Sequence, residues 1–200
     1  MTKKVLWLAI FFTVLLWSAI HPKDYFTWFL EVVPALIGLI VMAFTYKKFP
    51  LTTLLYSLIL LHSIVLMVGG HYTYAEVPLF DSIKEWFELE RNNYDKVGHF
   101  MQGFVPAMIA REIFVRKGVV NGKGWMNFLI VSFVLAFSAF YELIEWAVAI
   151  GSGEGAEAFL GTQGYVWDTQ SDMAWALFGA TVSLLLLSKF HDKQLKKLLR

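Results

Sequence analysis

The stretch WMNFLIVSFVLAFSAFYELIEWAVAI, Trp125 to Ile150, decides the fold class. Crossing a hydrocarbon core about 30 Å thick takes about 20 mostly apolar residues in an α-helix, and this run exceeds that. Its only charged side chains are Glu142 and Glu145, three positions apart. The whole chain follows the same pattern: 58% of its 200 residues are hydrophobic and 16% charged. Soluble domains are roughly 45–50% apolar and about 25% charged, so a soluble globular enzyme and a disordered chain are both excluded.

Working outward from Trp125–Ile150, the sequence predicts an all-α polytopic membrane protein. Its six transmembrane helices form one bundle, a single domain over residues 1–200. The spans lie at about 5–20, 29–46, 51–70, 98–115, 125–150 and 171–188. Lys3 and Lys4 before an apolar run also resemble a signal peptide. The segment Trp17-Ser18-Ala19-Ile20 is a poor cleavage site and five more spans follow, which favours an uncleaved first helix. With the N-terminus inside, the inner segments hold Lys3, Lys4, Lys47, Lys48, Arg111, Arg116, Lys117, Lys123 and the tail Lys189, Lys193, Lys196, Lys197 and Arg200. The outer segments hold only Lys23, Lys84, Arg91 and Lys96. That bias puts both termini in the cytoplasm of a bacterial inner membrane. Trp7, Trp28, Trp125 and Trp146 sit at span edges, as an interfacial belt or as core packing.

Two outer loops stand out. Residues 79–90 carry Phe80, Ile83 and Phe87 at helical spacing among Asp81, Lys84, Glu85 and Glu88. The pattern reads either as an amphipathic helix on the membrane surface or as a short helix capping the bundle. The loop from Gly151 to Trp167 has five glycines and no Lys or Arg. It is either flexible or bent back into the bundle. Net charge is +1 and cysteine is absent, so nothing attracts nucleic acid and thiolate chemistry is excluded.

Charged side chains within a bilayer cost about 2.5–3.5 kcal/mol each on insertion scales, so their grouping is informative. Asp95, Lys96, His99 and Gln102 open the fourth span on one helical face, continued by Gly103, Pro106 and Ala110. Ser138, Tyr141, Glu142 and Glu145 lie in the fifth. Asp168, Thr169, Gln170 and Asp172 open the sixth, above a small-residue stripe of Ala176, Gly179, Ala180 and Ser183. The topology brings all three groups to one depth in the outer leaflet. Arg111 and Glu112, about 18 Å further along the fourth helix, belong to the inner interface, pairing there or with lipid phosphate. His62 reads as a core histidine.

Glu142, Glu145, Asp168 and Asp172 cannot all stay ionised at low dielectric. Either some are protonated, or Lys96, protonated His99, a metal ion or a cationic headgroup neutralises them. Read as an enzyme, the pocket uses His99 and Glu142 as catalytic acid and base. Glu145, Asp168 and Asp172 then hold a divalent metal ion or orient a headgroup, and Asp95, Lys96, Gln102 and Tyr141 contact the substrate. The substrate is an outer-leaflet membrane lipid or cell-envelope precursor. Two other readings stand beside this one. The cluster is a cation, proton or headgroup site without catalysis, or a structural lock between three helices.

Three strings carry a family resemblance: Tyr94-Asp95-Lys96-Val97-Gly98-His99-Phe100, Tyr141-Glu142-Leu143-Ile144-Glu145-Trp146, and the run from Gly161 to Met173. Together they resemble the YjdF family of bacterial inner-membrane proteins over nearly the whole chain. The resemblance implies membrane location and a common importance of the three motifs, and it implies no reaction. The last three helices also look like VanZ-like membrane proteins. That similarity implies a cell-envelope role, with Glu145-Trp146 standing where those proteins tend to have a Gln nearby.

Overall fold

The computed structural model describes residues 2–152 and 157–199, and it is all-helical among them. The chain runs through α1 (Lys3–Ser18), α2 (Tyr25–Thr45), α3 (Thr53–Tyr72), the short α4 (Pro78–Trp86), α5 (Tyr94–Lys117), α6 (Lys123–Ser152), the single turn α7 (Glu157–Leu160) and α8 (Asp168–Leu198). Four of these, α2, α3, α6 and α8, are long and apolar enough to cross a membrane. The sequence expectation was six. Helix α1 has 16 residues, short of the usual span, and α5 is long but carries Asp95, Lys96, Arg111, Glu112, Arg116 and Lys117.

The reason α5 tolerates this polarity is its position. It packs most extensively against α8 and also against α3 and α6, which bury residues along its length from Tyr94 to Glu112. Asp95, Arg111 and Glu112 thus face protein, while Lys117 at the end of the helix is exposed. Small residues set the approach to α8. A methyl group built on Gly103 would fall 1.8 Å from the Ala176 carbonyl oxygen, and one on Gly179 would fall 2.1 Å from that of Phe100. Around this contact Ala107, Ala110, Ala176, Ala180, Ile130 and Val134 form the central apolar core.

Helices α1 and α2 both lean on α3. Phe11, Val32, Ala35 and Met67 make a second core there. Asp24 caps α2, its carboxylate accepting from the Thr27 amide at 2.6 Å, which satisfies an otherwise orphaned donor. After α3 the chain turns sharply: Thr73 and Tyr74 adopt φ of +60° and +56°, and the Tyr74 amide closes on Gly69 O at 2.9 Å. The turn drives the Tyr74 ring inward between α3 and α5. It fits because Gly69 and Gly98 lack side chains; a Cβ on either would lie 2.0 or 2.6 Å from the ring.

Helix α4 is shorter than the expected 79–90 segment, ending at Trp86, and Glu88 has φ +50°. Phe80 packs edge-on to Tyr94 at 5.2 Å, while Leu79, Trp86 and Phe87 remain exposed. Of the glycine-rich loop, Gly153 and Gly155 lie outside the described residues. The part from 157 to 167 returns to the bundle: Phe159 is buried, and Gln163 exchanges hydrogen bonds with the Asn92 backbone at 2.8 and 3.0 Å.

Candidate functional site

Three helices deliver the predicted polar groups to one place. The first turns of α5 supply Asp95, His99 and Gln102, the distal half of α6 supplies Glu142 and Glu145, and the first turns of α8 supply Asp168 and Asp172. Each of these side chains is at least nine-tenths buried. His99 stands at the centre. Its Nε2 lies 3.3 Å from Asp95 Oδ1 and 4.0 Å from Asp172 Oδ2, and its Nδ1 lies 3.1 Å from Gln102 Oε1 and 3.8 Å from Glu142 Oε1. Tyr141 presents its ring edge-on to the imidazole at 6.4 Å. Two overlapping sets, Asp95–His99–Asp172 and His99–Glu142–Glu145, each offer three ligand atoms within 4.8 Å of one another.

The remaining predicted residues sit around this centre. Asp168 is engaged by the Arg91 guanidinium in a tight ion pair. Asp168 therefore stands apart from both three-ligand sets, although the sequence groups it with Glu145 and Asp172 as a metal ligand. Lys96 forms no ion pair with these carboxylates among the described residues, and its ammonium lies 5.5 Å from the Tyr165 ring centre. It lines a groove of about 450 Å³ with Phe80, Asn93, Val97, Phe100 and Trp175.

Two residues that sequence reasoning passed over belong to the site. Arg91 bridges three elements: it pairs with Asp168, approaches Asp95 at 3.7 Å, and donates from Nη2 to Gly161 O at 3.2 Å. Its spacing of four from Asp95 was a legible signal. Glu31 on α2 is 6% exposed and reaches the electrostatic neighbourhood of Asp95, His99 and the Tyr74 hydroxyl. A lone carboxylate in an apolar span was the available sign. Burial and the nearby carboxylates hold the Tyr74 phenol well above its ordinary range, so it stays neutral.

Hydrogen bonding leaves a specific deficit. Asp95 Oδ2, Glu142 Oε1 and Asp172 Oδ1 are buried without a hydrogen-bond partner, as are Arg91 Nε and Ser138 Oγ. Buried polar groups nearly always find partners, so each orphan oxygen asks for an explanation. Six carboxylates, including Glu31, face Arg91 and at most one further charge on His99. The chemical capacity of such a pocket is to hold cations, either protons or a metal ion.

At the opposite end of the bundle a second polar network is complete. Glu112, wholly buried, accepts from the Thr52 amide at 3.1 Å, the Thr52 hydroxyl at 2.8 Å and Arg116 at 2.9 Å, and meets His191 Nε2 at 2.9 Å. Arg111 pairs with Asp192 at 2.6 Å and reaches His191 Nδ1 at 3.0 Å. Arg111 and Glu112 thus pair within the protein, and His191 joins them. His62 is half-buried in α3, with its Nε2 enclosed and unpartnered.

Comparison with known proteins places the chain among membrane proteins. Residues 3–193 match the family model described as "Predicted membrane protein (DUF2238)". The inner membrane protein YjdF of Escherichia coli (strain K12) is 51% identical over 184 residues, covering 92% of this chain and 88% of the relative. No solved structure matches the chain. The chain belongs to the DUF2238 family of membrane proteins, the YjdF family, and is a multi-pass protein of the bacterial inner membrane.

Proposed function

We propose that this member of the family holds a divalent metal ion between α5, α6 and α8, and uses it to engage the polar headgroup of an outer-leaflet lipid or cell-envelope precursor. The observation that carries the reading is that Asp95, Glu142 and Asp172, whose carboxylates all approach one imidazole, each keep a buried oxygen without a hydrogen-bond partner. Gln102 supports it. If His99 Nδ1–H donates to Gln102 Oε1 at 3.1 Å, the Nε2 lone pair is left facing Asp95 and Asp172. A hydrogen bond at the distal ring nitrogen commonly fixes a ligating histidine this way. One nitrogen with several carboxylates suits Zn²⁺ or Mn²⁺, and the oxygen-rich remainder also suits Mg²⁺.

Six crossings complete the reading. Helix α1 and the shielded α5 span alongside the four apolar helices, and the basic ends place both termini in the cytoplasm. The site then opens toward the outer leaflet. The Lys96 groove, walled by Phe80, Val97, Phe100 and Trp175, offers an apolar channel with one cation. That combination suits an acyl chain carrying an anionic headgroup. Glu142, on the far side of His99 from Asp172, is placed to exchange protons with a bound headgroup.

Elemental analysis of the detergent-purified protein tests the metal. Wild type should carry close to one divalent ion, an Asp95→Asn, Asp172→Asn double variant should lose it, and Lys96→Ala should keep it. Mass spectrometry of co-purified lipid then tests the groove, with Lys96→Ala expected to lose an anionic species that wild type retains. A folded wild type free of metal, even after incubation with Zn²⁺, Mn²⁺ and Mg²⁺, would sink the metal reading and leave a protonated cluster locking three helices.

A further inference from the structure

Away from the acidic site, at the end where α1 begins and α2 ends, the structure has a large groove of about 880 Å³. Its size falls within the range of roughly 300–1,000 Å³ typical of ligand pockets. Helices α1 and α2 are tied near the other end, where the Trp28 indole donates to Ser18 Oγ at 3.1 Å. At this end residues of α1, α2 and α3 together line the groove. Trp7, Leu39 and Phe44 supply apolar walls, with Phe44 82% exposed. The Trp7 indole is held in place by donating to Tyr56 O at 2.7 Å.

The rim is entirely cationic. Lys3 and Lys4 come from the start of α1, and Lys47 and Lys48 from the α2–α3 connection; no Asp or Glu lines the groove. None of the four lysines forms an ion pair among the described residues. Lys4 instead rests over the Tyr46 ring at 4.0 Å. We infer that this groove binds one anionic phospholipid of the adjacent leaflet, cytoplasmic in the proposed topology. The lysines take the headgroup phosphate, and an acyl chain lies along Trp7, Leu39 and Phe44. Charge complementarity selects the occupant: basic residues near an anionic lipid surface each add to its attraction, and here four converge on one apolar cleft. Lysines acting only as a topology signal need no cleft between them.

The test uses the full-length protein, stripped of lipid in neutral detergent, with native mass spectrometry to count bound lipid. Phosphatidylglycerol should bind wild type at one copy, at least tenfold more tightly than phosphatidylcholine of the same chains. Changing Lys3, Lys4, Lys47 and Lys48 together to Gln should abolish that preference. Because loss of these charges can disturb insertion, a second variant keeps them. Ala43→Trp, at an exposed α2 position lining the groove, should fill the cleft and weaken phosphatidylglycerol binding by the same tenfold. Unchanged binding in Ala43→Trp would reduce the lysines to a diffuse surface attraction and overturn the inference. Equal affinity for phosphatidylcholine would overturn it too. So would full competition by inorganic phosphate at the lipid's own concentration, since the acyl chain would then contribute nothing.

Discussion

Replacing Gly103 by Ala tests the link between helix packing and the site. The added methyl would fall 1.8 Å from the Ala176 carbonyl oxygen, where real Cβ atoms essentially never approach within 3.0 Å. The obstacle is backbone, so it cannot rotate away, and α5 and α8 must part locally by roughly 1.2 Å. Overpacking of this kind costs about 1–3 kcal/mol. One helical turn away from Gly103 and Ala176 stand His99 and Asp172, whose Nε2 and Oδ2 are 4.0 Å apart. Two ligands at about 2.0–2.2 Å from one ion lie no more than about 4.4 Å from each other. Parting the helices pushes this pair past that limit, and metal affinity should fall by about 10–100-fold, as when a ligand's support is lost. Thermal unfolding in detergent reads the first effect, and competitive metal titration reads the second. Gly38→Ala is the control, since a Cβ there meets nothing within 4 Å; it should be neutral or stabilise by up to about 1 kcal/mol. If Gly103→Ala matched Gly38→Ala in unfolding temperature, the close α5–α8 crossing would be wrong, whether or not a metal is present.

Other perturbations separate the two ends of the bundle. Glu112→Ala strips a carboxylate from Thr52, Arg116 and His191. It should destabilise by about 3–5 kcal/mol because it leaves the Arg116 charge and the buried Thr52 and His191 groups without their shared acceptor, with the metal content of whatever folds unchanged. Gln163→Ala removes the two hydrogen bonds to Asn92, worth about 0.5–1.5 kcal/mol each. It should raise the rate of limited proteolysis within residues 157–167 at least fivefold, and an unchanged rate would mean that the segment is held by other contacts. Lys23 and Glu76 pair in the open at 2.7 Å, and that partner raises the Lys23 pKa above its ordinary 10.5. The pair's contribution is therefore fully present at neutral pH and lost only as pH climbs through the raised value. Because both side chains are exposed, Lys23→Ala should leave the unfolding temperature at pH 7 unchanged within error.

What the sequence made legible is local in chain distance. The apolar run of α6 announces a span, and Asp95, His99 and Gln102 announce one helical face by their spacing of four and three. Gly103 with Gly179 announces a close helix contact. Pairings that depend on elements far apart in the chain escaped. Arg91 reaches Asp168 across 77 positions, and Glu112 meets His191 across 79. No periodicity encodes which of several carboxylates a cation will choose. Polarity misled in the same way. Helix α5 is too polar to qualify by hydropathy, although its Asp95, His99, Gln102, Arg111 and Glu112 are buried against neighbouring helices that a hydropathy window does not register. The cation that Asp168 needs at the start of α8 comes from Arg91, counted in the sequence as one more loop charge. That choice shapes the candidate site: Arg91 bonds Asp168 and stands 3.7 Å from Asp95 Oδ2, and it makes no ion pair with Asp172. Among the described residues Asp172 is thus left with only the His99 imidazole, at 4.0 Å, to face its charge, and the proposed metal ion would supply what Arg91 does not.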